Sequence, residues 1–112
     1  MKEEILEKTA REYFESAEDN LKKDRYNSAV VLFFKSLVTF TDLFLLKEIK
    51  KTSSSHTERF KITKDKFPEI YNLLDKDFPF YQEIYSQIMS KELAEVIKDD
   101  AKFVAKKVKI IL

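Results

Sequence analysis

The amino-acid sequence predicts an all-α fold, and three observations support this prediction. The 112 residues include no glycine and only two prolines, whereas hairpins and tight turns draw on glycine for positive φ angles. Lys, Glu, Leu, Ala and Ile, which suit helices, make up much of the chain. Apolar residues recur at three- and four-residue spacing along several segments, as they do on one face of a helix.

The composition indicates one folded domain over residues 1–112, with 44% apolar and 37% charged residues. The net charge of +1 creates no overall field towards nucleic acid or anionic lipid. Without cysteine the chain cannot build disulfides, thiolate zinc sites or a cysteine nucleophile. Lys and Glu enrichment favours a thermophilic source. The mixed-charge N-terminus lacks the apolar stretch of a signal peptide, so we expect a cytoplasmic protein.

The first two predicted helices cover the first half of the chain. Helix 1 runs from Glu3 to Lys22, with one apolar stripe opposite Glu and Lys residues. Helix 2 is predicted to start after Asp24 as its N-cap and to reach Lys50. Its apolar residues lie on nearly every side, and only a narrow polar line interrupts them: Ser28, Lys35, Thr39 and Asp42.

Helix 2 contains an 18-residue apolar stretch, Ala29 to Leu46, that has the length of a membrane span. Lys35 and Asp42 in its middle would cost roughly 5–7 kcal/mol on insertion, so we interpret it as a buried helix with no membrane partner. A helix that is apolar nearly all round needs cover on nearly all sides. We therefore expect a homodimer, with the following residues of helix 2 at the interface: Val31, Phe34, Val38 and Leu45.

The second half of the chain carries clear helix signals. Ser55 and Glu58 form a capping box that starts a third helix after a serine-rich loop. Pro68 predicts a break near residues 63–66, with Asp65 capping the next helical piece. Asp77 and Pro79 are predicted to start another, aromatic helix.

Ser90 is the predicted cap of the last helix. One face of that helix is expected to be apolar, and it comprises Leu93, Ile97, Ala101, Val104, Val108 and Ile111.

His56 is the only histidine, and its place in the first turn of the third helix suggests two interpretations. It is either a general acid/base or ligand contact at a positive helix end, or an exposed polar residue near a cap. The polar line that includes Lys35 and Asp42 likewise marks either a site or a solvated side of helix 2. One histidine and no cysteine give no metal-site spacing, so we expect neither metal nor cofactor.

Three segments resemble the HEPN (higher eukaryotes and prokaryotes nucleotide-binding) domain family, in its short prokaryotic stand-alone form. Residues 17–46 resemble the long second helix of that family, with Tyr26 and Ala29 in a Tyr-x-x-Ala entry. The segment "SSSHTERF", residues 53–60, is similar to the Ser-His step that opens the third helix. Residues 90–112 resemble the closing helix.

The resemblance implies an up-and-down bundle of four long helices plus one short helix, usually dimeric. It also implies a role with RNA or nucleotides, often beside a small nucleotidyltransferase partner. Many members are metal-independent ribonucleases with an arginine four to six residues before a histidine. In this sequence Lys50 and Lys51 precede His56 at that spacing, so the catalytic pair is not matched.

We therefore predict a non-catalytic HEPN-like dimer that binds nucleotide, RNA or a nucleotidyltransferase. The predicted ligand-binding residues are Lys35, Ser55, His56 and Arg59. Two alternatives stay open. One is a weak, toxin-like ribonuclease of a toxin–antitoxin pair that uses His56, with Lys50 or Arg59. The other is a purely structural helical interaction module.

Overall fold

The computed structural model describes residues 2–112, and every regular element within them is helical. The α-helices are α1 (Lys2–Lys22), α2 (Tyr26–Ile49), α3 (His56–Lys66), α4 (Pro68–Gln82) and α5 (Lys91–Lys107). A single 3₁₀ turn, Glu83–Tyr85, follows α4. The predicted all-α class is confirmed.

The second helix forms the centre of the molecule and packs against α1, α4 and α5. Eleven of its 24 residues are buried: Ala29, Val30, Phe33, Phe34, Ser36, Leu37, Phe40, Thr41, Leu43, Phe44 and Leu45. By length and composition α2 could span a membrane, since an 18-residue window reaches a mean hydropathy of 1.9. However, 61% of that window is buried inside the protein, as in a core helix.

A single chain covers only part of the apolar surface of α2, and the expected homodimer stays a prediction. Two of the four predicted interface residues are covered by their own chain, since Phe34 is 1% exposed and Leu45 is 0% exposed. Neither side chain can therefore line an interface in this conformation. Val31 and Val38 are only half-buried. The sequence pattern shows how apolar a helix is but not how many neighbours the chain folds around it.

Small residues let the two long neighbours approach α2 closely. The first helix buries Ala10, Phe14 and Ala17, and the Ser36 hydroxyl of α2 donates a 3.0 Å hydrogen bond to the Ala10 carbonyl. The buried side chains of α5 are Ala94, Ile97, Ala101, Val104 and Ala105. The predicted apolar faces of both helices are confirmed along most of their length.

The ends of α1 and α5 use left-handed residues in a chain without glycine. Asp24 (φ 58°) and Lys109 (φ 62°) both adopt this conformation, and amides one residue further bond back to the carbonyls of Asn20 and Ala105, as in a Schellman motif. The predicted role of Asp24 as the cap of α2 is wrong, because it terminates α1 instead. Ile111 is likewise not on α5: the chain has already turned, and Ile111 is 90% exposed.

The two serine caps are confirmed. Ser55 Oγ accepts from the Glu58 amide at 3.1 Å, and Ser90 Oγ accepts from the Leu93 amide at 3.1 Å. The capping box is only half formed, because the Glu58 carboxylate accepts from the Ser54 hydroxyl at 2.8 Å.

The predicted boundaries around the prolines need correction. α3 continues through Asp65 to Lys66, so Asp65 does not cap α4. Phe67 alone separates the helices, and Pro68 is the first residue of α4, where its missing amide costs nothing. Pro79 does not start a helix but lies inside α4. An internal proline costs about 3 kcal/mol, and its neighbours Phe78 and Tyr81 pack on Phe34.

One asparagine fixes the segment between α4 and α5. The Asn27 amide group donates to the carbonyls of Gln87 (2.9 Å) and Ile84 (3.3 Å), and its oxygen accepts from the Met89 amide (2.8 Å). These bonds tie the segment that follows α4 to the start of α2.

Candidate functional site

An open cleft of about 390 Å³ lies where α1, α2, the start of α3 and the end of α4 meet. All four ligand-binding residues predicted from the sequence line this cleft. The complete lining is Tyr13, Phe34, Lys35, Val38, Thr39, Ser54, Ser55, His56, Arg59 and Tyr81.

Local helix geometry explains which side chains reach the cleft. Lys35 and Thr39 are four residues apart on α2 and therefore share a face. His56 and Arg59 are three residues apart at the start of α3 and share a face for the same reason. The Ser55 cap holds this first turn in place. The leading amides of a helix lack intrahelical partners and carry a partial positive charge, so this end of α3 adds a weak attraction for anions.

A buried ion pair anchors α3 to α2 beside the cleft. Arg59 Nε donates to Asp42 Oδ1 at 2.9 Å and Arg59 Nη2 donates to Asp42 Oδ2 at 3.0 Å. The Ser53 hydroxyl also donates to Asp42 Oδ1, at 2.8 Å. Arg59 is only 8% exposed, and the planar two-bond geometry is one that lysine cannot reproduce. Asp42 of the polar line is therefore the partner of Arg59 and not simply a solvated residue.

The remaining donor group of Arg59 contacts the histidine. Arg59 Nη1 lies 3.0 Å from His56 Nδ1. The His56 ring is also 5.1 Å from the Phe78 ring and 6.4 Å from the Tyr81 ring, centroid to centroid. Partial burial lowers the pKa of His56, the Arg59 guanidinium lowers it further, and Asp42 opposes this effect. This shift favours the neutral form of His56.

Aromatic rings form the walls of the cleft. Phe34 and Tyr81 stack with centroids 4.8 Å apart. On the opposite side, Lys35 Nζ lies 5.8 Å from the centroid of Tyr13, within the range of a cation–π contact. The sequence analysis assigned Tyr13 and Tyr81 to the core and not to a site. Both belong to apolar helical patterns, which predict burial, and no local signal places them beside His56.

Three other residues that the sequence analysis singled out lie outside this cleft. Lys50 is exposed, ends α2 in a left-handed conformation (φ 59°) and does not line the cleft. Val31 lines a different groove, and Leu45 is fully buried. The other two predicted interface residues, Phe34 and Val38, form part of the cleft wall. Within residues 2–112, no group of three or more His, Asp or Glu side chains could hold a metal ion.

No protein-family model matches this chain, and no significant match was found among curated proteins or among solved structures. The resemblance to HEPN domains therefore stays a prediction from the sequence.

Proposed function

We propose that this protein is a non-catalytic, HEPN-like helical domain whose cleft binds the phosphate group of a nucleotide or of RNA. One observation supports this proposal above the others. Lys35, Ser55 and His56 line the cleft beside the aromatic ring of Tyr81. Cations, hydroxyls and helix amides suit phosphate oxygens, and an aromatic face suits a base.

Lys35 is the main cation for a ligand in this proposal. Both carboxylate oxygens of Asp42 accept hydrogen bonds from Arg59, so the negative charge of Asp42 partly neutralises the guanidinium. Lys35 is half-buried and contacts the Tyr13 ring. None of the ion pairs among the described residues includes Lys35, so no carboxylate neutralises its charge there. We therefore expect Lys35 to contribute more to phosphate affinity than Arg59 does.

Replacing Lys35 by alanine is expected to weaken phosphate or nucleotide binding about tenfold, or ~1.4 kcal/mol, because it removes this charge. Isothermal titration with inorganic phosphate, AMP and a short RNA would measure the change at low salt. At 100 times its dissociation constant, a bound ligand should add about 2.7 kcal/mol to the stability of the wild type.

Lys50→Ala is the matched control, since Lys50 is an exposed lysine outside the cleft. Equal losses in the two variants, or no binding by the wild type, would contradict the proposal.

A ribonuclease that uses His56 is the second candidate. It is suggested by the presence of Arg59 and His56 in one cleft, since an arginine and a histidine are the residue types used by the catalytic members that the sequence resembles. Release of fragments from RNA without metal, abolished in His56→Ala, would support this candidate over simple binding.

Homodimerisation is a separate part of the proposal, supported by apolar side chains that one chain leaves uncovered. Tyr85 is 98% exposed and lines a groove of about 370 Å³ that Val31 and Leu32 also line. Ile88, nearby in sequence, is 95% exposed. We place the dimer contact here and not on the buried Phe34 and Leu45. A small nucleotidyltransferase is proposed as a partner on the resemblance alone.

Val31→Glu is expected to convert a dimer to a monomer in light scattering, with its circular dichroism spectrum unchanged, because a charge would enter the contact without a partner. Val96→Glu on α5 is the control, since Val96 is 42% exposed and remote in sequence from this groove. A wild type with monomeric mass would refute the dimer.

A further inference from the structure

We propose that Asp42 and Arg59 are positioning residues that hold His56 in its neutral Nε2–H tautomer, so that the ring serves the cleft as an N–H donor and not as a base. The tautomer follows from the contacts of the three side chains. The identity of the acceptor, a phosphate oxygen, rests on the proposed function.

The direction of the hydrogen bond between Arg59 and His56 has only one solution. A guanidinium carries donors only, and it is not deprotonated in proteins. Since Arg59 Nη1 lies 3.0 Å from His56 Nδ1, Nδ1 must accept and therefore carries a lone pair and no proton. A neutral imidazole has one proton on its two ring nitrogens, so this proton is on Nε2.

The orientation of Arg59 is set independently of the histidine. Two hydrogen bonds to Asp42, at 2.9 and 3.0 Å, fix the plane of the guanidinium, and Arg59 is 8% exposed. The Ser53 hydroxyl in turn holds the Asp42 carboxylate. Arg59 cannot turn away from His56 without breaking its hydrogen bonds to Asp42. The fixed guanidinium therefore disfavours protonation of His56 at Nδ1. The lowered pKa of His56 agrees with this geometry.

This arrangement has a chemical consequence for the cleft. A general base needs a free lone pair to receive a proton, and the only lone pair of the neutral ring is engaged by Arg59. The Nε2–H group can instead donate to an oxyanion, together with the Lys35 ammonium and the Ser55 hydroxyl, whose residues also line the cleft. The inference therefore favours binding over the ribonuclease alternative.

The experiment uses the full chain labelled with ¹⁵N, in which His56 is the only source of imidazole signals. Long-range ¹H–¹⁵N correlation spectra at pH 7.5 distinguish a ring nitrogen that carries a proton from one that does not. We expect Nδ1 to show the shift of an unprotonated nitrogen and Nε2 that of a protonated one. Equal populations of the two tautomers, or a proton on Nδ1, would overturn the inference.

Two variants test the positioning roles. Arg59→Met removes the donor, and Asp42→Asn removes the charge that orients it. In each we expect the two nitrogen shifts to move towards the common average of exchanging tautomers. Arg25→Gln, at an exposed arginine, should leave the wild-type shifts unchanged. If Arg59→Met does not fold, Asp42→Asn decides, and a folded Asp42→Asn protein with wild-type shifts refutes the role of Asp42.

Addition of inorganic phosphate separates this inference from the proposed function. We expect phosphate to shift the Nε2 signals more than those of Nδ1, with the tautomer unchanged. A wild type that shows the Nε2–H tautomer but no response to phosphate supports the positioning roles and refutes phosphate binding. A response in which phosphate moves the proton to Nδ1 refutes the inference while supporting binding.

Discussion

Asp77→Asn is expected to stabilise the protein above neutral pH and to flatten the pH dependence of its unfolding free energy. Asp77 is fully buried in α4, and neither of its carboxyl oxygens forms a hydrogen bond with any side chain or amide in residues 2–112. Lys76 Nζ is 3.7 Å from Oδ1 but is itself engaged by Asp100 at 2.8 Å. Burial raises the pKa of Asp77 from 3.8 to about 8, Asp100 adds to the rise and Lys76 opposes it.

The sign of the effect follows from the number of protons bound in each state. Between pH 4 and 8 the folded state keeps a proton on Asp77 that the unfolded state has lost. The contribution of Asp77 to stability is therefore complete below the unfolded pKa, falls as the pH rises between the two pKa values and is lost above about 8. One proton of difference gives a slope of at most ~1.4 kcal/mol per pH unit. Asparagine has a similar shape and carries no charge at any pH, so the Asp77→Asn variant should not lose stability in this pH range.

Urea unfolding at pH 5, 7 and 9 measures this difference. Asp75→Asn, an exposed aspartate on the same helix, is the control and should keep the wild-type slope. His56 titrates in the opposite sense, because its lowered pKa destabilises the folded state as the pH falls below about 6.5. The comparison between wild type and Asp77→Asn removes this contribution. If the unfolding free energies of the two proteins changed with pH in parallel, the raised pKa of Asp77 would be contradicted.

Phe34→Ala is expected to cost about 3–5 kcal/mol, the range for truncating a buried phenylalanine. The Phe34 ring is 1% exposed, stacks on Tyr81 at 4.8 Å and lies 5.9 Å from the Phe78 ring. The cavity would also remove the packing that supports α4 around Pro79. Because small domains have only 5–15 kcal/mol of stability, this variant should be marginally folded, and its denaturation midpoint would show the loss.

Tyr85→Ala is the matched aromatic control, since Tyr85 is 98% exposed. We expect its effect on monomer stability to stay within about 0.5 kcal/mol. A stable Phe34→Ala protein that has only changed its oligomeric state would show instead that Phe34 belongs to an interface, as the sequence analysis predicted.

The cluster at the start of α3 shows how much of the site could be predicted. Ser55, His56 and Arg59 are close in sequence, and helical spacing alone places them in one turn. Their cap and their shared face were predictable for that reason. Lys35 was singled out as a charge in an apolar helix, but only the packing of α3 beside α2 brings it to the same cleft. The partner of Arg59 was not predictable, because Asp42 is 17 residues away.

The sequence by itself determined the helical class, the extent of α1 and α2 to within about two residues, the serine caps and the apolar faces of α1 and α5. These properties depend on backbone propensity and on contacts within one or two turns, which a local pattern records. Only the tertiary structure decided that Phe34 and Leu45 of α2 are buried within one chain, that Pro79 lies inside a helix and that Asp77 is buried. Each of these depends on neighbours distant in sequence, whose packing energy outweighs the local preference.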